Sequence, residues 1–137
     1  MTTATLDARI MARRAKLDQL AGYFGWAAGV RITGSASSRS EARGRAALNR
    51  MAGRYARDMP VGPDDRFFVA YLERWERICT RRMDAEGFAP GPGTKHAASY
   101  LWYANGVATA ARDAIAIIRT GSIDIRDWNV AGIYDGH

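Results

Sequence analysis

Three interruptions govern what this chain can fold into. The small polar run Thr33-Gly-Ser-Ala-Ser-Ser38, Pro60 with Gly62-Pro63-Asp64-Asp65, and Gly87 followed by Phe88-Ala-Pro-Gly-Pro-Gly93 each halt a regular element. Proline removes a backbone donor and glycine admits left-handed turns, so a helix stops or starts at such places. Between them the apolar residues recur with helical period, and strict strand alternation is nearly absent. The chain therefore reads as four helical segments.

From about Thr5 to Ala28, Leu6, Ile10, Leu17, Leu20 and Phe24 fall within about 80° of one another at 100° per residue. Gly22, Gly25 and Gly29 weaken the end of this helix, and Tyr23 and Trp26 point off its stripe. The second helix is expected from an N-cap at Ser38 or Ser40 to about Met59, where Pro60 stops it, with Glu41 near the positive end of the dipole. Gly62-Pro63-Asp64-Asp65 suits a third helix start, and Gly87 a left-handed stop. There Phe67, Phe68, Tyr71, Leu72, Trp75, Ile78, Cys79 and Met83 share one side, as expected of the central core helix. Thr94 caps a fourth helix ending near Gly121, with a small-residue stripe of Leu101, Ala104, Val107, Ala108, Ala111, Ile115 and Ile118 that permits close helix approach. Trp102 and Ile117 lie away from that stripe. Ser122 to His137 reads as an irregular tail packed by Ile125, Trp128 and Ile133.

The expected architecture is all-α: one compact domain over residues 1–137, of about four helices with an irregular C-terminal tail. At 137 residues one core suffices, burying roughly two-thirds of the unfolded surface. Hydrophobic residues at 47% and charged residues at 25% argue against disorder. The single cysteine, Cys79, excludes an intramolecular disulfide framework and fits a reducing, cytoplasmic setting. No export signal develops before Arg9, Arg13 and Arg14, and the longest charge-free stretch, His96 to Ala111, is shorter than the roughly 18 apolar residues a membrane span needs.

Charge is the most informative functional signal. The 20 basic and 14 acidic residues give +6 overall, but residues 1–57 carry +8 and residues 58–137 carry −2. Arginine outnumbers lysine by 18 to 2, a bias that suits bidentate contact with phosphate and equally follows from a GC-rich genome. Helical phase concentrates the charge: Arg39, Arg43, Arg50, Arg54 and Arg57 project within about 60° of one another, opposite Leu48, Met51, Ala52, Tyr55 and Met59. At 1.5 Å rise per residue the ridge spans roughly 27 Å, enough to follow several phosphates of a nucleic acid. Within the helix only Glu41 and Asp58 are acidic, so water or an outside anion must serve the ridge. The competing expectation is a solvated face, or one paired with Asp64, Asp65, Glu73, Glu76 or Glu86 of the same fold or a neighbouring subunit. Arg9, Arg13, Arg14 and Lys16 are candidates to extend the basic surface.

A second expectation concerns Tyr23, Trp26 and Trp102, which sit off their helices' stripes and suit partner-binding anchors. Either they mark an interface, in an assembly subunit, homo-oligomer, partner-binding inhibitor or phage-type accessory protein, or their helices are buried on more than one side. Chemistry is poorly represented. His96 and His137 belong to no triad, Cys79 lies on an apolar face, and Glu73 and Glu76 are flanked by Arg74 and Arg77. Asp124, Asp127 and Asp135 lack calcium-loop spacing, and Gly91-Pro-Gly-Thr-Lys95 lacks the glycine spacing of a phosphate loop. The sequence thus points to a non-enzymatic basic binding protein with no catalytic residue, cofactor or metal. Its expected partner is nucleic acid or another acidic macromolecule, contacted with little sequence specificity, and no membrane.

Overall fold

The computed structural model describes residues 3–29, 31–58, 66–90, 94 and 97–120. Among the described residues there are four helices: α1 (Thr3–Ala28), α2 (Ala36–Asp58), α3 (Arg66–Ala85) and α4 (Ser99–Thr120). There is no strand among the described residues. The expected helix start at Gly62-Pro63-Asp64-Asp65, the irregular tail Ser122 to His137 with Ile125, Trp128 and Ile133, and the side chains of Leu6 and Ile10 lie outside them.

α2 and α4 form the closest pair, with α1 laid on α2 and α3 on α4; α2 and α3 meet only at a margin. The spatial order is therefore α1, α2, α4, α3. This corrects the expectation that the third helix is central. α3 buries Phe68, Val69, Leu72 and Met83, but Phe67 is 68% and Ile78 47% exposed, because only α4 covers it extensively. The central positions belong to α2 and α4, whose small residues let two helix backbones come together.

The crossing is built on glycine. A Cβ at Gly44 would strike the Tyr103 carbonyl oxygen, and a Cβ at Gly106 the Glu41 carbonyl oxygen. Around it Ala104, Val107, Ala108, Ala111, Ile115 and Ile118 are buried, so the small-residue stripe of α4 does face a neighbouring helix. The main core joins all four helices through Leu20, Phe24, Leu48, Leu72, Ile117 and Ile118. Each such side chain contributes about 1.5–3 kcal/mol on burial. Phe24, Phe68, Tyr55 and Tyr71 continue it as a chain of ring contacts 4.6–6.2 Å apart. A smaller cluster, Met83, Phe88, Leu101, Trp102, Ala104 and Ala108, closes the α3–α4 end.

The helix ends explain the boundaries. Ser35, rather than Ser38 or Ser40, caps α2: its Oγ accepts the Ser38 amide at 3.3 Å while its carbonyl accepts the Arg39 amide at 2.8 Å. α3 ends in a left-handed Gly87 (φ 64°), with Phe88 N–H donating to the Met83 carbonyl at 2.9 Å and Gly87 N–H to Asp84 at 3.1 Å. That is the Schellman pattern, completed by Phe88 packing in the same cluster as Met83. α4 begins at Ser99 because the Thr94 carbonyl closes a separate turn with the Ala97 amide at 2.9 Å.

Candidate functional site

All five ridge arginines are on α2, and all five are exposed. The opposite face of the helix buries Ser40, Gly44, Ala46, Leu48, Asn49, Ala52, Gly53 and Ala56 against α1 and α4. Burial of that face is what turns Arg39, Arg43, Arg50, Arg54 and Arg57 outward as a set.

Among the described residues no ion pair reaches the ridge; most carboxylates that might have neutralised it are engaged elsewhere, while Asp58, the last residue of α2, is exposed beside Arg57. Glu41 approaches Arg45 at 3.5 Å on the α4 side of the helix. Glu73 pairs with Arg119 at 3.7 Å, Glu76 with Arg112 at 3.1 Å, and Glu86 accepts the Tyr100 hydroxyl at 2.6 Å. Asp18 pairs with Arg14 at 3.0 Å. Asp64 and Asp65 lie outside the described residues. The basic ridge thus faces solvent, with five guanidinium groups carrying donors for an anion.

The proposed extension along α1 is not equivalent. Arg14 donates to the Ala56 carbonyl at 2.8 Å as well as pairing with Asp18, which ties it to the last turns of α2. Lys16 is partnered too, and the side chains of Arg9 and Arg13 lie outside the described residues.

Between the end of α1 and the ridge lies an open groove of about 310 Å³, lined by Gly25, Ala28, Gly29, Gly53, Arg50, Arg54 and Arg57. Its floor is helix backbone. At Gly53 a Cβ would sit 3.4 Å from the Phe24 Cβ and 3.6 Å from the Gly25 amide nitrogen, so the two helices approach closely there, whereas nothing stands within 4 Å of a Cβ at Gly25. In the sequence Gly25 and Gly29 are weak helix formers. Their second consequence, an open floor beside three arginines, depends on which face of α1 meets α2, which periodicity alone does not specify.

Of the two alternatives for Tyr23, Trp26 and Trp102, burial on a second side of the helix holds for Tyr23 and Trp102, which are therefore not exposed partner-binding anchors. Tyr23 is buried, with its ring 5.4 Å from Phe24 and 6.0 Å from Trp26. Trp102 is buried edge-on against Phe88, centroids 5.1 Å apart. Trp26 is half-buried against the main core. Tyr23 and Trp102 lie off their stripes because their helices are covered on a second side, as Ile117, 1% exposed, also is on α4.

Arg45, on the same helix as the ridge, has a different role. Its Nη1 lies 3.5 Å from Asp113 Oδ2 of α4, yet neither atom has a hydrogen-bond partner. Burial raises the Asp113 carboxyl above its ordinary value of 3.8, against the opposing pull of Arg45 and Arg112. The Cys79 thiol is likewise raised by burial, the environment of an inert thiol rather than a nucleophile. Among the described residues no cluster of His, Cys, Asp and Glu is arranged to hold a metal, and no helix is long and apolar enough to cross a membrane.

No protein-family model matches this chain, and neither a curated protein nor a solved structure resembles it at a significant level. Any functional reading therefore rests on the residues themselves.

Proposed function

We propose that this chain is a non-enzymatic helical binding protein that holds nucleic-acid phosphates on the α2 arginine ridge, largely without sequence preference. The observation that carries the reading is the exposure of Arg39, Arg43, Arg50, Arg54 and Arg57 on one face while Glu41, Glu73 and Glu76 pair with other residues. Guanidinium groups spaced along a rigid helix match a row of backbone phosphates, and such contacts carry affinity without reading bases. Among the described residues no ion pair engages these five groups, which leaves their donors available to a ligand.

The test is binding of a fluorescent duplex of arbitrary sequence to the wild type and to the Arg43→Ala/Arg50→Ala/Arg54→Ala variant. Because these side chains are exposed, circular dichroism and thermal midpoint should be retained while affinity at low salt falls by at least about tenfold. Equal affinity of the two proteins removes the ridge as the site.

A second reading, as a protein-interaction or assembly subunit, is favoured by the outer face of α3. Phe67 and Ile78 are exposed there beside the exposed Arg74 and Arg81. Exposed large apolar side chains among arginines suit a protein contact. Light scattering separates this reading from the first: a defined oligomer that Phe67→Ser and Ile78→Ser dissolve supports it, and a monomer opposes self-assembly through this face.

A further inference from the structure

The groove beside Arg50, Arg54 and Arg57 has features the rest of the ridge lacks. One wall is three guanidinium donors at i, i+4 and i+7 of α2. The other is the last turn of α1, whose Gly29 amide closes on the Trp26 carbonyl at 3.1 Å. The final carbonyls of a helix look outside it for donors, and they form the negative end of its dipole. A bare anion is therefore attracted by one wall and disfavoured by the other. A group with an anionic end and a donor-bearing end satisfies both.

The floor limits shape. Gly25 and Gly29 are exposed and leave α1 backbone uncovered beside the buried Gly53, so a flat body can lie against it, and about 310 Å³ is at the small end of ligand-sized sites. A nucleotide unit has the required combination: a phosphate, a planar base, and amino or hydroxyl donors. In a duplex the base is stacked and paired and does not reach such a floor; in a single strand it is free to turn out.

We propose that this groove seats one unstacked nucleotide of a bound strand, its phosphate on Arg50, Arg54 and Arg57 and its base against the Gly25–Gly29–Gly53 floor. The ligand class of the ridge is then single-stranded nucleic acid. This inference rests on the phosphate-binding reading and adds to it a preference the ridge alone does not produce.

Gly25→Leu tests the groove without altering any charge. A Cβ at Gly25 meets nothing within 4 Å, so the leucine side chain has room to occupy the groove, and leucine is the better helix former. Binding is measured for a fluorescent single strand and for the duplex of the same sequence. In the wild type the single strand should bind at least about fivefold tighter, and Gly25→Leu should erase that preference while leaving duplex affinity within about twofold. Equal affinities in the wild type, or a preference untouched by Gly25→Leu, overturn the groove inference while duplex binding still supports the ridge. If neither polymer binds, the ridge reading fails, and titration of adenosine 5′-monophosphate against inorganic phosphate decides the groove separately. Shifts of the Gly25 and Gly29 amide resonances with the nucleotide but not with phosphate support it, and no selective shift overturns it.

Discussion

Gly44 of α2 and Gly106 of α4 are reciprocal contacts: each leaves room for the backbone of the other's helix, at the Tyr103 and Glu41 carbonyls respectively. The α2–α4 pairing that orders the bundle depends on this absence of side chains. Because the neighbouring atoms are backbone, they cannot swing aside. Gly44→Ala and Gly106→Ala should each destabilise the fold by about 2–3 kcal/mol, as overpacking does. Gly25→Ala, where the space is open, should be neutral or stabilise by up to about 1 kcal/mol through helix propensity. Urea unfolding of the three variants checks the contrast, and an equal effect at all three positions contradicts the crossing.

Asp113 gives a pH signature. Its folded carboxyl titrates above the ordinary 3.8, so the folded state binds the proton more tightly than the unfolded chain does. Stability contributed by this group is then greatest relative to neutral pH when the carboxyl is protonated, and it is lost as pH rises from the unfolded value through the raised folded one. Asp113→Asn removes the titration. The stability of the wild type minus that of Asp113→Asn should therefore fall across that window as pH increases, measured by urea unfolding at several pH values. A difference that rises with pH means the Arg45 attraction outweighs burial.

Trp102 is an interior residue whose ring meets Phe88 edge-on. Trp102→Ala should cost about 3–5 kcal/mol, the range for emptying a large aromatic site. A loss below about 1 kcal/mol in thermal or urea unfolding shows the ring to be dispensable to the core.

Gly87 caps α3 in the left-handed region at φ 64° with no atom near a prospective Cβ. Gly87→Ala therefore isolates the backbone cost, about 1–2 kcal/mol. Gly87→Asn should recover part of it, since asparagine tolerates that conformation. A calorimetric comparison of the two variants reads the difference.

Much of the fold is legible because local chemistry and packing agree. Gly87 stops α3 as its conformational freedom implies, and Leu20, Phe24, Leu48 and Leu72 are buried where helical period places them. The outward projection of the five arginines also follows from period, since Leu48 and Ala52 must face inward. What period does not carry is which helices meet. α3 has the richest apolar face, yet α2 and α4 take the centre because Gly44 and Gly106 allow closer approach than bulky side chains do. Tyr23 and Trp102 look exposed on a helical wheel built around one stripe, but a helix covered on two sides has two. The groove was illegible for the same reason: Gly25 and Arg54 are distant in sequence and share a wall only through the packing of α1 on α2.

The most direct test of the phosphate-binding ridge is the slope of log affinity against log salt for an arbitrary duplex. Each neutralised phosphate contributes about 0.9 to that slope, so engagement of most of the five arginines gives a value steeper than about −3. The Arg43→Ala/Arg50→Ala/Arg54→Ala variant should lose about 2–3 of it. A wild-type slope near zero, or a slope unchanged in the variant, contradicts the account.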